Sequence, residues 1–347
     1  MRKELALAAV SALLALGILE LGLRLFSEEE LLEPPAVYRF GILYTRPPYS
    51  SFPHKSRDFD VVYTTNRHGF RGRDHDFRKG KGVCRIVALG DSFTWGTGVA
   101  DDRTYCSVLE DDLGRWSRST RYEVVNLGLM ALGLVENEYV YRKMGVLFQP
   151  DLVVLSFIGN DLEYEILARK DAPEAVNKAA SLTLRIRALA RDIPGYTALC
   201  TRSHLLAWAR RNLSRLIVAR RDKGMEAGLA ALDEAGRLER MESRGIENAD
   251  RLVDEVCGSG RRLLILDAGD HLRRYKRLHR HLEGRAASGT CPELVRVETG
   301  PEHILSKRDW HWNEKGHALV AEMLFRSVVK GGGGRSRRHL ASPKKSP

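Results

Sequence analysis

Five short apolar runs that alternate with helix-prone stretches most restrict the fold of this chain. Each run has the length of one strand and is apolar almost throughout, as expected for strands buried on both faces. Helical patterns separate the runs, and this alternation is typical of a parallel sheet covered by helices. We therefore predict an α/β fold with strands at 85–90, 122–128, 151–157, 262–268 and, more weakly, 293–298, and helices at 102–116, 135–148 and 313–329.

The amino-terminal segment has a different character. Arg2 and Lys3 precede an uncharged run over 5–19, and the apolar stretch then continues, broken only by Glu20 and Arg24. About 22 residues would form a helix of ~33 Å, enough to cross a bilayer. Glu20 and Arg24 are four residues apart and can pair on one helix face. We predict an uncleaved membrane anchor with its amino terminus in the cytoplasm and the remaining chain outside it; a cleaved signal peptide and a buried core helix are the alternatives.

The remaining chain divides by composition. Prolines and aromatic residues fill a predicted linker, in which FDVVYTTNRHGF suggests a short hairpin. Inside the α/β domain, a long arginine-rich insertion is helix-prone. It is either a helical cap or a surface that lies on anionic lipid headgroups. The predicted boundaries are 1–26 for the anchor, 27–80 for the linker, 81–330 for the domain with its insertion at 162–260, and 331–347 for a disordered basic tail.

Charge and cysteine content exclude several classes of function. The net charge is +11, and five of the positive residues lie in the tail. No nucleic-acid-binding signature accompanies this excess, so anionic lipid or acidic polysaccharide is the better partner. The number of cysteines is odd and their spacing wide, which is neither a disulfide framework nor a zinc site. The sequence predicts no metal and no cofactor. It leaves open whether any two of the five cysteines are bridged: Cys84, Cys106, Cys200, Cys257 and Cys291.

Ser92 is the strongest candidate for a catalytic residue. It lies two residues beyond the first predicted strand, at the carboxyl end where the loops of an open sheet form a crevice. A serine in such a loop becomes a nucleophile when a histidine takes its proton and donors surround the developing oxyanion. Gly96 and Gly98 follow it. A phosphate-binding loop is the weaker alternative, because neither a Lys-Ser/Thr ending nor GxGxxG is present.

Four motifs together resemble those of the SGNH (GDSL) hydrolase family. They are GDSFTWG around Ser92, VVNLGLMALG after the second strand, IGND at 158–161 and DWHWNEKGH at 309–317. They occur in the family's order across residues 85–329. The resemblance implies a three-layer flavodoxin-like sandwich and an ester-cleaving enzyme.

The resemblance also assigns roles to individual residues. It implies Ser92 as nucleophile, His311 as base and Asp309 as the carboxylate that orients it. Asn160 would donate its side-chain amide to the oxyanion, and the backbone N–H of Ser92 would be a further donor. The second-motif donor falls on Ala131, where family members usually have glycine, with Gly133 or Gly128 as the alternative.

Two departures from the family pattern point to one branch of the family. Ala131 replaces the usual glycine, and one residue rather than two separates Asp309 from His311. The run DWHWN is similar to a D-x-H-W variant of membrane-linked SGNH proteins, including those that O-acetylate exopolysaccharides. A shift of one residue still allows the carboxylate to reach the imidazole nitrogen remote from the serine.

Other residues of these motifs are less decisive. We expect His317 to be structural and Asp161 to cap or orient its loop. Trp95 and Trp312 either stack on a sugar or acyl chain or pack in the core.

The sequence supports three functions. The first is an esterase that acts through an acyl-enzyme on an O-acyl substrate, with O-acetyl favoured, carried by a small molecule, a lipid or a polysaccharide. The second is an O-acyltransferase that modifies an envelope polysaccharide or exopolysaccharide. The third is a non-catalytic, membrane-anchored protein of polysaccharide assembly.

Overall fold

The structure is a computed structural model. It describes residues 2–26, 37–38, 44–130, 132–158, 162, 199, 202–206, 208–209, 212, 234–268, 273, 275–289 and 291–332.

A five-stranded parallel sheet forms the centre of the domain. Its strands are β5 (Val83–Leu89), β6 (Arg121–Asn126), β7 (Leu152–Phe157), β8 (Arg262–Ala268) and β9 (Glu293–Val297), in the order β6-β5-β7-β8-β9. Every neighbouring pair is parallel. The five predicted strands are therefore present, and the predicted α/β fold is confirmed. Counted within the sheet, the order is 2-1-3-4-5, the flavodoxin-like order whose direction of winding reverses between β5 and β7.

Helices cover both faces of the sheet. On one face, α3 (Tyr105–Trp116) and α7 (Glu314–Gly332) pack against a buried cluster that includes Leu109, Val154 and Leu324. On the other, α4 (Leu134–Lys143), α5 (Glu234–Gly258) and α6 (Lys276–Ala287) bury residues such as Val140 and Leu252. The strands are apolar on both faces because both layers of helices rest on them. Short 3₁₀ turns at Asp101–Arg103, Gly145–Phe148 and Pro301–His303 complete the framework.

The segment that precedes the sheet packs into the core. The strands β3 (Ser51–Lys55) and β4 (Asp60–Thr64) form an antiparallel hairpin, and the small strands β1 (Val37–Tyr38) and β2 (Tyr44–Thr45) form another. The predicted strand in FDVVYTTNRHGF is present, but its partner precedes it in the chain. Phe52, Tyr63 and Phe70 are at most 2% exposed, so this segment contributes apolar burial to the domain.

The amino-terminal helix α1 (Arg2–Phe26) stands apart from this core. Its stretch Ala6–Phe26 has a mean hydropathy of 2.2 and no buried share, which fits a membrane span or a signal sequence. The predicted pairing occurs: Arg24 Nε donates to Glu20 Oε1 at 2.7 Å. Glu20 also accepts from the backbone of His204 and Leu205 at 3.0 and 2.8 Å. A part of the predicted insertion thus contacts the far end of this helix; most of the insertion and the tail lie outside the described residues.

One disulfide joins two elements of the domain. Cys257 near the end of α5 is bonded to Cys291 just before β9, across 34 residues of chain. Cys84 and Cys106 are free thiols, and Cys200 is outside the described residues. A disulfide between structural elements is typical of proteins that fold in an oxidising compartment.

Candidate active site

Ser92 begins a short helix at the carboxyl end of β5. The chain leaves the strand through Gly90, whose φ of 156° and contact with Thr94 leave no room for a side chain. Asp91 caps the helix by accepting from the N–H of Phe93 at 3.0 Å. The helix α2 (Ser92–Trp95) ends at Gly96 in the left-handed region, with φ of 87°. This sharp strand-to-helix turn presents the Ser92 hydroxyl at the edge of the sheet.

Ser92, His311 and Asp309 form one hydrogen-bonded relay. The distance from Ser92 Oγ to His311 Nε2 is 2.8 Å, and that from His311 Nδ1 to Asp309 Oδ1 is 2.6 Å. Because an ionised carboxylate only accepts, Nδ1 carries the proton and Nε2 is left to accept from the Ser92 hydroxyl. The side chains of His311 and Asp309 are 25% and 23% exposed, so the relay can be reached from solvent.

The loop before α7 explains how a one-residue separation works. Ser306 Oγ accepts from the N–H groups of Arg308 and Asp309, and Asp309 Oδ1 accepts from the N–H of His311 at 3.1 Å. Asp309 therefore turns back over the residue that follows it and meets both the backbone and the ring of His311. An Asp-x-His spacing suffices because the turn, rather than the length of chain, brings the carboxylate to the imidazole.

The ionisation of Asp309 follows from these contacts. Partial burial opposes the charged form, but the hydrogen bond and the charge of His311 outweigh it and hold the pKa of Asp309 below its usual value. The charge of His54 adds to this effect. Asp309 is thus ionised at neutral pH, as a carboxylate that orients a histidine must be.

The pKa of Asp91, the neighbour of Ser92, is shifted in the opposite direction. The residue is fully buried, and burial raises its pKa to about 6 against the hydrogen bond from Phe93 and the charge of His311. Its Oδ2 has no partner among the described residues. Asp91 therefore stabilises the turn through one carboxylate oxygen, while its other oxygen is buried without a hydrogen bond to any described residue.

A buried arginine from the preceding segment holds the loop that follows Ser92. Arg71 is 0% exposed and donates to the carbonyls of Trp95 and Val99 at 3.0 and 2.9 Å, and also to that of Gly96. Its Nε donates to Asp101 Oδ1 at 2.8 Å. Its guanidinium also lies 4.3 Å from the ring centre of Tyr63. The sequence analysis missed this residue, because no spacing rule links position 71 to a loop 24 or more residues away.

A family model of GDSL-like lipases and acylhydrolases matches residues 86–324, more than half of the chain. The chain belongs to that family. It is therefore an ester-hydrolysing enzyme, and the predicted SGNH resemblance is confirmed. No curated protein matches the chain closely enough in sequence to be counted as a relative.

Several solved structures are similar to this GDSL-like protein. TesA shares 12% identity over 71% of this chain and 98% of its own, with a TM-score of 0.43. The lipase/acylhydrolase from Enterococcus faecalis shares 14% over 76% and 100%, with a TM-score of 0.40. The acetyl xylan esterase AlAXEase shares 12% over 70% and 99%, with a TM-score of 0.40. The family assignment rests on the family model and not on these likenesses.

The loop after β6 is hydrogen-bonded to α2, the short helix that begins at Ser92. Asn126 donates from Nδ2 to the carbonyl of Thr94 at 2.8 Å and accepts from the N–H of Gly128 at 2.9 Å. The N–H of Gly133 donates to Glu136 at 3.1 Å, so both glycines predicted as alternatives to Ala131 have their N–H groups engaged. Ala131, Asn160 and Asp161 lie outside the described residues. The N–H of Ser92 has no acceptor within the described part of the chain.

The aromatic residues of the two motifs differ in their exposure to solvent. Trp95 and Trp312 are each 1% exposed, so they pack in the core and do not face a substrate. His317 is fully buried; burial lowers its pKa to about 3, and its Nδ1 accepts from the N–H of Tyr105 at 3.2 Å. It is therefore a neutral packing residue, as expected. Trp310, which the sequence analysis did not single out, is 42% exposed beside His311.

No group of three His, Cys, Asp or Glu residues able to hold a metal occurs in the described ranges. The relay itself needs none.

We predict that Arg71→Lys destabilises the domain by about 2–4 kcal/mol, because an ammonium cannot replace the planar set of donors and leaves buried carbonyls unpaired. The measurement is urea unfolding of the purified chain. Arg103→Lys is the matched control, since Arg103 is exposed and contacts Asp102 at the surface; it should change stability by less than about 0.5 kcal/mol. Equal effects of the two substitutions would contradict this role of Arg71.

We predict that Asp91 makes the domain less stable as pH rises from about 4 to 6. The folded pKa of about 6 exceeds the ordinary value of 3.8 for an aspartate, so the folded state holds more protons in that window and stability falls by up to about 3 kcal/mol across it. Asp91→Asn keeps the cap and should remove this contribution. Urea unfolding at several pH values would measure it; parallel curves for the two proteins would refute the shift.

Proposed function

We propose that this protein cleaves acyl esters through an acyl-enzyme formed on Ser92, with His311 as general base and Asp309 as the orienting carboxylate. The relay of hydrogen bonds from Ser92 through His311 to Asp309 is the observation that supports the proposal. Nucleophile, base and orienting group each lie within hydrogen-bond reach of the next, as acyl transfer to serine requires.

In the first step, Ser92 Oγ attacks the ester carbonyl while its proton passes to His311 Nε2. The new Oγ–C bond gives a tetrahedral oxyanion. This collapses as the C–O bond to the alcohol breaks, and His311 returns the proton to the departing alkoxide. In the second step, water loses a proton to His311 and attacks the acyl carbon. The Oγ–C bond then breaks, His311 returns the proton to Ser92 Oγ, and the acid is released.

The oxyanion would be held by three donors. The N–H of Ser92 supports this role, since it begins α2 and has no acceptor among the described residues. The Asn160 side-chain amide and the Ala131 N–H complete the proposed set. Ala131 is favoured over Gly128 and Gly133, whose N–H groups already donate to Asn126 and Glu136.

The substrate that we propose is an O-acyl ester, with O-acetyl favoured. A sugar hydroxyl could replace water in the second step and would make the protein an O-acyltransferase. The D-x-H-W spacing and the candidate membrane helix favour this second function. A purely non-catalytic assembly role is disfavoured, because a binding module has no need of a serine–histidine–aspartate relay.

We propose that α1 is an uncleaved anchor that holds the enzyme domain outside the cytoplasm. The basic residues Arg2 and Lys3 precede the apolar stretch and favour a cytoplasmic amino terminus. The disulfide between Cys257 and Cys291 fits an oxidising compartment on the other side of the membrane. The contacts of Glu20 with His204 and Leu205 support a position of this part of the insertion beside the end of α1 that is nearer the enzyme domain.

Substitutions in the relay should separate its roles. Ser92→Ala should abolish turnover of p-nitrophenyl acetate, because the acyl-enzyme cannot form. Asp309→Asn should lower kcat by about 10²–10⁴ with little change in KM, because the amide favours the wrong imidazole tautomer. Steady-state kinetics would measure both, with the exposed Asp102→Asn as the control. Full turnover by Ser92→Ala would exclude the mechanism.

Product analysis separates hydrolysis from transfer. With p-nitrophenyl acetate as donor and an oligosaccharide as acceptor, we expect the acetyl group to appear as acetate, because water competes freely at a relay that solvent reaches. Mass spectrometry of the acceptor and assay of acetate would measure the partition. Acetylated acceptor that forms with the wild type but not with Ser92→Ala would contradict hydrolysis and favour transfer.

A further inference from the structure

A short part of the insertion is hydrogen-bonded to α1 through Glu20. The Glu20 carboxylate accepts from the N–H groups of His204 and Leu205 at 3.0 and 2.8 Å, and from the hydroxyl of Ser203 at 2.9 Å. Ser203 Oγ accepts in turn from the N–H of Leu206 at 3.1 Å. We use the name contact segment for the described residues of this part of the chain, which are 199, 202–206, 208–209 and 212.

The contact segment provides partners for the charges of the apolar stretch. Within Ala6–Phe26, the charged residues are Glu20 and Arg24. Arg24 donates to Glu20 at 2.7 Å and to the carbonyl of Arg202 at 2.9 Å. A charged group beside lipid is costly unless it is paired and hydrogen-bonded. These contacts therefore allow α1 to carry two charges close to the end of a membrane span.

The position of Glu20 along α1 sets the depth of the contact segment. Glu20 lies six residues before Phe26, where the helix ends, which corresponds to ~9 Å along the helix axis. Peptide segments that lie in the membrane interface are buried by roughly 5–10 Å at the boundary between headgroups and acyl chains. If α1 spans a bilayer, a segment hydrogen-bonded to Glu20 lies at that boundary.

The contact segment also exposes large apolar side chains. Leu199 is 57% exposed and Trp208 is 43% exposed. On α1, Leu21, Leu25 and Phe26 are 57%, 66% and 88% exposed. Tryptophan is enriched at the membrane–water interface, because its ring is apolar and its N–H is polar. A bilayer would cover the exposed side chains of α1 and of the segment bonded to it.

The charge of the surrounding sequence indicates the kind of lipid. Residues 193–221 include six arginines and no acidic residue. Basic residues close to a membrane surface bind anionic lipid headgroups. The sequence around the contact segment is therefore suited to an anionic bilayer.

We propose that the contact segment lies in the interface of an anionic bilayer, with the Trp208 indole at the boundary between headgroups and acyl chains. This inference rests on the proposed anchor and makes the membrane a partner of the insertion as well as of α1. Glu20 and Arg24 fix the segment at that depth.

The test places the full-length protein in lipid nanodiscs and measures quenching of tryptophan emission by brominated lipids. Because α1 contains no tryptophan, quenching reports on other parts of the chain. We expect phosphatidylcholine with bromine just below the headgroup to lower the emission of the wild type. This loss should disappear in Trp208→Phe, be smaller with bromine at the chain end, and increase when phosphatidylglycerol replaces half of the unbrominated lipid.

Trp116→Phe is the matched control. Trp116 is 49% exposed in α3 of the enzyme domain, so its substitution should leave the quenching by lipid unchanged. Glu20→Ala should reduce the quenching, because the N–H groups of the contact segment lose their acceptor. Glu4→Ala, which removes an acid from the first turn of the same helix, should not reduce it.

Four results would overturn the proposal. Quenching that persists in Trp208→Phe, or is absent in the wild type, would mean that the Trp208 indole does not contact lipid. Stronger quenching by bromine at the chain end would place the indole in the hydrocarbon core. Unchanged quenching with phosphatidylglycerol would refute the preference for anionic lipid, and unchanged quenching in Glu20→Ala would refute the role of Glu20.

Failures of the proposals on which this inference rests would be seen separately. Cleavage of α1 would appear as a missing amino-terminal segment in the intact mass of the membrane-purified protein. Failure of the proposed esterase would appear as turnover of p-nitrophenyl acetate by Ser92→Ala. Trp208→Phe should retain full turnover of that ester in detergent.

Discussion

The hydrogen bond between Ser92 and His311 is the contact on which the site depends, and the other features of the site hold these two residues in position. It joins two residues 219 positions apart in the chain at 2.8 Å, a distance that tolerates little error in either loop. The sheet provides the common frame, because β5 delivers Ser92 at its carboxyl end, where the winding reverses. The loop before α7 then delivers His311 to the same edge.

Each of the two loops is stabilised by buried polar contacts. Arg71 binds the carbonyls that follow Ser92, and Asn126 binds both Thr94 and Gly128. On the other side, Asp309 holds the backbone and the ring of His311 together. The segment before the sheet therefore helps to hold the site together. It supplies Arg71, and it also supplies Tyr63, whose hydroxyl accepts from the N–H of Gly98 at 2.8 Å. Burial raises the pKa of Tyr63 to about 12, which keeps that hydroxyl protonated.

The features that could be predicted from the sequence are those set by patterns within a short stretch of chain. The five strands were recognisable because strands buried on both faces are short and apolar, and Ser92 and His311 because their motifs are contiguous. Arg71 and Trp310 were missed because the partners of Arg71 are distant in sequence and the exposure of Trp310 depends on tertiary packing. Trp95, Trp312 and Trp310 look alike in the sequence. In the structure, Tyr105 and His317 pack against Trp312 and Tyr63 packs against Trp95, whereas Trp310 stays 42% exposed. The hairpin partner of β4 was missed because Pro53 lies within it.

The most direct test of this account is covalent labelling of the full-length protein with a fluorophosphonate, followed by peptide mass spectrometry. An activated serine reacts with such a phosphonate, whereas an ordinary serine does not. We predict a single phosphonylated site at Ser92, with labelling that is lost in His311→Ala and retained in His317→Gln. Labelling of another serine, or labelling of Ser92 that persists in His311→Ala, would contradict the relay.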